Sequence, residues 1–242
     1  MGTDIHMIVQ KRETPDAPWV TVPIAYACGD CDGTGKRTYP SKPEDVVDCY
    51  WCRGTGQCNR YHDRNYDLFA QLAGVRNGSG FAGCDLGDGF DPISEPRGLP
   101  EGVAEWPNGE PSEDEDYTHE TRPWLGEHSH SWLMLSELLT YDLDRMAIER
   151  GVLDRDAYEK WDHRGAPEHW CGDVAGTAVT KVTEKQYRRL RTAGDHGAVT
   201  HIQCSWSRSY RECGGTFWRL VLPALQKLGH PDCVRIVFGF DS

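Results

Sequence analysis

Residues 4–10 read DIHMIVQ and residues 234–240 read VRIVFGF. The first alternates polar with apolar or β-branched positions; the second is almost wholly apolar, with one arginine. Both patterns predict strands, one at each end of the chain. Residues 19–22, WVTV, follow the turn TPDAP at 14–18 and predict a hairpin partner for the first strand. Helical spacing lies between the ends. Residues 65–73, NYDLFAQLA, have a cap at Asp63 or Asn65 and a stop at Gly74. Thr183 to Gln186 forms a capping box for a helix running to about Gly194. Residues 133–148 read as a strand end followed by a helix capped by Ser136, residues 199–206 as a strand, and residues 215–228 as a helix kinked at Pro223. Strands at both ends with helices between imply an α+β fold. Its sheet is mixed or antiparallel, with the terminal strands paired and helices packed on it.

Hydrophobic residues make up 38% of 242, with 26 glycines and 14 prolines, so the core is modest and the connections long. Residues 77–123 are the longest such stretch, rich in Gly, Pro and acid, with Glu113–Asp116 as a solvated run. A net charge of −12 disfavours non-specific nucleic-acid binding, which needs a cationic surface. A local basic pocket remains open to Arg64, Arg76, Arg97 and Arg122. No run is long and apolar enough to span a membrane, and no basic-then-apolar leader opens the chain, so a cytoplasmic protein is expected.

Residues 28–35 read CGDCDGTG and residues 49–56 read CYWCRGTG. Both fit C-x-x-C-x-G-x-G. The spacing turns two thiolates toward one ion, and the glycines permit the tight turn after each pair. Cys28, Cys31, Cys49 and Cys52 are therefore expected to hold one structural zinc ion; a redox dithiol or two disulfides is the alternative use of the same residues. Four sulfurs leave no open position for catalysis. Cys58 and His62 are read as bystanders. The repeats resemble the cysteine-rich zinc region of DnaJ-type chaperones, over about residues 26–58. That family carries four repeats and two zincs, so two repeats imply one zinc; the His-Pro-Asp signature of its J-domain is missing. The implied organisation is a discontinuous main domain over 1–26 and 59–242, a zinc-knuckle insertion over 27–58, and the 77–123 loop within the main domain.

Residues two apart on a strand share a face. Asp4 and His6 do so, and His128 and His130 do so if HSHSW is extended. Two such pairs meeting across a sheet would suit acid–base chemistry or a second, divalent metal. The same set suits phosphate recognition: Ser129 and Ser131 donate hydroxyls, Arg76 follows the first helix, and Arg97 sits in the rigid PRGLP turn. The bland alternatives are surface pairs and histidines bonded to carbonyls. The tryptophans, Trp124 and Trp132 among them, are read as core first and stacking platforms second.

MGTDIH, RNYDLFA at 64–70, VRNG at 75–78, RGLP at 97–100, HSHSW at 128–132 and VRIVFGFD at 234–241 together resemble an uncharacterised family of tailed-phage proteins. The resemblance implies a phage-encoded protein made in the bacterial cytoplasm, with the zinc module as an insertion. The resulting expectation is an accessory protein that binds a nucleotide-like or phosphorylated ligand through Asp4, His6, Arg76, Arg97, His128 and His130, sequestering a host defence signal. The rivals are a metal-dependent phosphodiesterase or nuclease using the histidine and aspartate pairs, and a zinc-module protein that binds a host protein.

Overall fold

The two terminal segments pair antiparallel along their whole length, from Ile5 opposite Phe240 to Lys11 opposite Val234, in the computed structural model. It describes residues 2–39, 42–103 and 124–241. The acidic run Glu113–Asp116, Arg122, and Pro40 and Ser41 of the inter-knuckle linker lie outside the described residues. In chain order the strands are β1 Ile5–Lys11, β2 Val20–Val22, β3 Tyr26–Ala27, β4 Lys36–Tyr39, β5 Lys42–Asp48, β6 Gln57–Cys58, β7 His62–Asp63, β8 His128–Met134, β9 Met146–Asp154, β10 Lys181–Thr183, β11 His201–Ser209 and β12 Val234–Phe240. The helices used below are α1 Tyr66–Ala73, α2 Leu135–Thr140, α3 Arg155–Lys160 and α4 Glu184–Ala193. The class is α+β, with antiparallel and mixed sheets.

The chain falls into two compact units, where the sequence suggested a single main domain with one insertion. Residues 2–65, 93–141 and 214 onward form the terminal-strand unit; residues 66–92 and 142–213 form the mid-chain unit. Hydrophobic periodicity reports which face of an element is buried, not which core buries it, so this division was invisible in the sequence.

In the terminal-strand unit the sheet runs β2-β1-β12-β8, with β7 also on β1. One face carries Ile5, Met7, Val9, Leu133, Ile236, Phe238 and Phe240, all buried. Each large side chain there stabilises by roughly 1.5–3 kcal/mol. The other face carries Asp4, His6, Ile8 and Gln10 beside Arg235, Val237 and Gly239. All seven residues of β12 are buried, which is why its sequence runs apolar without alternation. Helix α2 follows β8 directly. Its entry is capped by Glu137, which accepts from Met134 N at 2.8 Å, and not by Ser136. Over 215–228 a π-helical turn at Phe217–Val221 leads into a short α-helix at Leu222–Gln226. Pro223 stands in the first turn of that helix, where its missing N–H costs little.

The mid-chain unit is built on the order β10-β11-β9. Strands β11 and β9 pair antiparallel from His201–Asp154 to Ser209–Met146. The helix expected to reach Ile148 stops at Thr140, and strand β9 begins six residues later. Buried Ala147, Glu149, Gly151 and Leu153 recur every second residue, a strand period, with Val152 buried on the other face. Leu153, Tyr158, Tyr187, Val199, Ile202, Cys204 and Trp206 form the core beneath. Thr183 and Gln186 make the expected capping box of α4, and Gly194 ends it at φ 81°. Among the described residues no helix is long and apolar enough to cross a membrane.

Candidate functional site

The four motif cysteines are all buried and gather around one point. Each knuckle turns on a residue in the left-handed region, Asp32 at φ 49° and Arg53 at φ 50°, followed by Gly33 and Gly54. Gly35 N donates to Cys31 Sγ, and Gly56 N to Cys52 Sγ, each at 3.2 Å. Such bonds favour the thiolate. The knuckles interlock: Cys28 N donates to Gly56 O at 2.9 Å and Cys49 N to Gly35 O at 2.8 Å. A Cβ on Gly35 would meet Gly54 O at 2.2 Å, and one on Gly56 would meet Gly33 O at 2.2 Å. Only glycine permits this approach. Across the pair, Cys28 and Cys49 sulfurs are 3.8 Å apart and Cys31 and Cys52 sulfurs 3.7 Å. A tetrahedral ion with bonds of ~2.3 Å sets its sulfurs ~3.8 Å apart, so the quartet can hold one metal ion. Cys58 packs beside the quartet without joining it. Between the knuckles β4 pairs antiparallel with β5, from Lys36 opposite Asp48 to Thr38 opposite Val46.

The histidine candidates divide. Opposite β12, Phe240 faces His128 and Phe238 faces Ser131, so β8 spends one extra residue over the same span. The bulge falls at Ser129, whose φ is 53°. It breaks the alternation. His128 stacks on Phe240, 6.1 Å between ring centroids, on the core side. His130 lies on the opposite side, over Gly239: a Cβ there would meet His130 Cδ2 at 2.5 Å. The expected shared face of His128 and His130 is therefore corrected; a bulge shifts every later side chain by one face.

His130 instead joins His6, because Gly239 is the direct partner of His6 across β1 and β12. His6 Nε2 donates to Asp241 Oδ2 at 2.9 Å. Asp241 is itself pinned, its Oδ1 accepting from Asp4 N at 2.7 Å. The Trp124 ring packs on His6 at 4.2 Å between centroids, tilted by 56°. Asp4 shares this face, but its carboxylate is held by Arg64 Nε at 2.8 Å and Nη2 at 2.6 Å. The face thus presents an oriented imidazole, a second imidazole, an aromatic wall and an Arg–Asp pair. Among the described residues these histidines and aspartates do not bring three ligand atoms within 4.8 Å of one another, so the divalent-metal version of the site has no assembled ligand set.

The remaining candidates have other work. Arg97 grips both oxygens of Glu137, at 2.9 and 2.6 Å, and packs on Trp132 at 5.0 Å. Ser131 is fully buried, and its Oγ accepts from Arg97 N at 3.2 Å. Ser129 Oγ bonds His128 Nδ1 at 3.0 Å. Arg76 belongs to the mid-chain unit, where it lies over Tyr66 at 5.5 Å. The ligand set proposed from sequence is therefore reduced to Asp4, His6 and His130, with Asp241 added. Asp241 lies two residues beyond Gly239, in step with the face, but only the register reveals that it reaches His6.

A second cluster, in the mid-chain unit, escaped the sequence reading. Asp67, Glu149 and Cys213 bring ligand atoms within 4.8 Å of one another. Glu149 is buried, accepts from Trp206 Nε1 at 2.7 Å, and is gripped by Arg208 through two N–H groups. Arg208 Nη2 also reaches Asp67 at 3.2 Å. Burial, and then the charge of Glu149, push Asp67 up to about 7 against the pull of Arg208. Arg208 already supplies the cation this cluster needs, so it serves as a buried ion-pair network. Compared with protein-family models, curated proteins and solved structures, the chain matches none.

Proposed function

We propose that the protein binds a nucleotide-like or otherwise phosphorylated ligand on the His6 face of its terminal-strand sheet, and that Cys28, Cys31, Cys49 and Cys52 hold a structural zinc ion. The observation that carries the ligand reading is the grouping of Asp241 and Trp124 on His6, with His130 against Gly239, the strand partner of His6. An aromatic wall beside imidazoles suits a base and an anionic group together. Zinc is the favoured ion because a closed set of four thiolates matches its structural sites. The segments similar to tailed-phage proteins support a phage-encoded role in the bacterial cytoplasm, sequestering a host nucleotide signal.

The test is thermal unfolding of the metal-loaded protein against nucleotides and cyclic dinucleotides, with each ligand then recovered by chromatography. A ligand at ~100 times its dissociation constant should add ~2.7 kcal/mol, raise the melting temperature, and lose that effect in His6→Ala. Recovered intact, it supports sequestration. Recovered cleaved, it makes the His6–Asp241 pair the base of a phosphodiesterase, since a carboxylate-oriented imidazole is the arrangement a general base requires. No shift across the panel overturns the nucleotide reading. One observation favours the second reading, a host protein gripped by the zinc module: Tyr50 is 82% and Trp51 52% exposed beside the cysteines.

A further inference from the structure

Strand β12 is buried from end to end, yet its second residue is a cation: Arg235 is 5% exposed. A buried guanidinium needs a counter-charge or full hydrogen bonding. Arg235 has neither among the described residues. Its Nε donates to Gln10 Oε1 at 2.9 Å, and the Gln10 amide is oriented by donating to Thr21 Oγ1 at 3.3 Å. Its Nη2 is buried and has no partner. Arg12 stands nearby, half-exposed but likewise without an ion pair among the described residues. Its Nη1 and Nη2 donate to the backbone carbonyls of Pro15 and Asp232, and its Nε is buried without a partner. The two guanidiniums pack on the same ring, Trp19, at 4.4 Å for Arg12 and 4.1 Å for Arg235. The Trp132 ring also lies 5.9 Å from the Arg235 guanidinium.

Cation–π packing offsets part of the desolvation, but it leaves N–H groups unmet. The contrast with Arg97 is direct. Arg97 lies on the same Trp132 and is neutralised by a two-pronged pair with Glu137. The chain carries 38 acidic residues, and none of those described forms an ion pair with Arg12 or Arg235. Two like charges are thus held together with donors to spare.

We propose that Arg235 and Arg12 form the phosphate subsite of this sheet face, taking a phosphoryl group beneath Trp19. This deepens the ligand-binding reading above and rests on it only for what the phosphate is attached to. His6, Ile8 and Gln10 share one face of β1, so the subsite lies ~13 Å along the strands from the His6 end, at ~3.3 Å per residue. That is the reach of a mononucleotide lying along the sheet. Burial, and then the charge of Arg12, push Arg235 down to about 10, and the charge of a bound anion would raise it again.

The test uses the full, metal-loaded chain titrated with inorganic phosphate and with a nucleoside monophosphate, against chloride at matched ionic strength. Phosphate should raise the melting temperature where chloride does not. Arg235→Met should fold with an equal or higher melting temperature in chloride, because it removes an uncompensated buried charge, and should lose the phosphate response. Arg12→Gln, at a half-exposed position, should weaken phosphate at least tenfold. A phosphate response equal to that of chloride, or one that survives Arg235→Met, overturns the subsite. If phosphate binds and no nucleotide does, the subsite stands and the nucleotide reading falls. If nucleotides bind and Arg235→Met is indifferent to them, the reading stands and the subsite falls.

Discussion

Gly239 is glycine for a steric reason. A Cβ there would meet Leu125 O at 2.2 Å and the His130 ring at 2.5 Å. Gly239→Ala is expected to cost ~1–3 kcal/mol, as overpacking does, and to displace His130. A lowered melting temperature together with a changed His130 resonance would check both. Asp67 makes a pH prediction. Its value rises from 3.8 to about 7 in the folded chain, so the folded state keeps a proton that the unfolded state has released. The stabilisation from this proton is full at low pH and is lost as pH climbs from ~4 through ~7. Denaturant unfolding across that window should show the fall, and Asp67→Asn should flatten it. At this scale legibility was uneven. The cysteine quartet was plain because each C-x-x-C-x-G-x-G is a local pattern. The arginine in VRIVFGF was visible, but nothing local says whether a buried cation has a partner.

Among elements, strand β8 shows how much one residue can decide. The extra position at Ser129 sends His128 to the core side and His130 to the His6 side. No pattern in HSHSW distinguishes a bulge from a regular strand, because the bulge is defined only against β12. Helix α4 is the opposite case. Its cap lies within four residues, Thr183 to Gln186, with Gln186 N donating to Thr183 Oγ1 at 3.3 Å and Gln186 Oε1 accepting from Thr183 N at 2.8 Å. Thr183→Ala is expected to cost about 1 kcal/mol, read from the denaturation midpoint, and Thr183→Ser to restore most of it. The stretch after α2 was misread for a physical reason as well. Short apolar runs fit either period until a partner strand exists, and β11 supplies that partner from more than fifty residues away.

For the whole molecule, the proposed zinc ion is the most exposed dependency. Among the described residues, the buried side chains of the knuckle module are its four cysteines, with Cys58 packed against them. With no apolar core among those residues, the energy of metal binding is expected to be the module's folding energy, of order 10 kcal/mol for structural zinc. Elemental analysis is expected to give one zinc per chain. Chelation, or Cys49→Ser, should remove the ion and collapse amide dispersion over residues 28–58, while the β1–β12 pairing keeps its own buried core of Ile5, Ile236 and Phe238. If amide dispersion survived complete metal removal, the knuckles would be held by something other than an ion.

The sequence by itself determined the two terminal strands, the capping box of α4 and the cysteine quartet. Each is written in spacing of a few residues, and the physics that enforces it acts over one turn or one pleat. Only the tertiary structure decided which histidines meet, that Asp241 orients His6, that Arg97 is already neutralised by Glu137, and that Arg235 is buried beside Arg12 with donors unmet. Those outcomes depend on strand register and on partners up to 235 residues apart. A side chain's chemistry is set by what surrounds it, and its surroundings are assembled from parts of the chain that no local pattern connects.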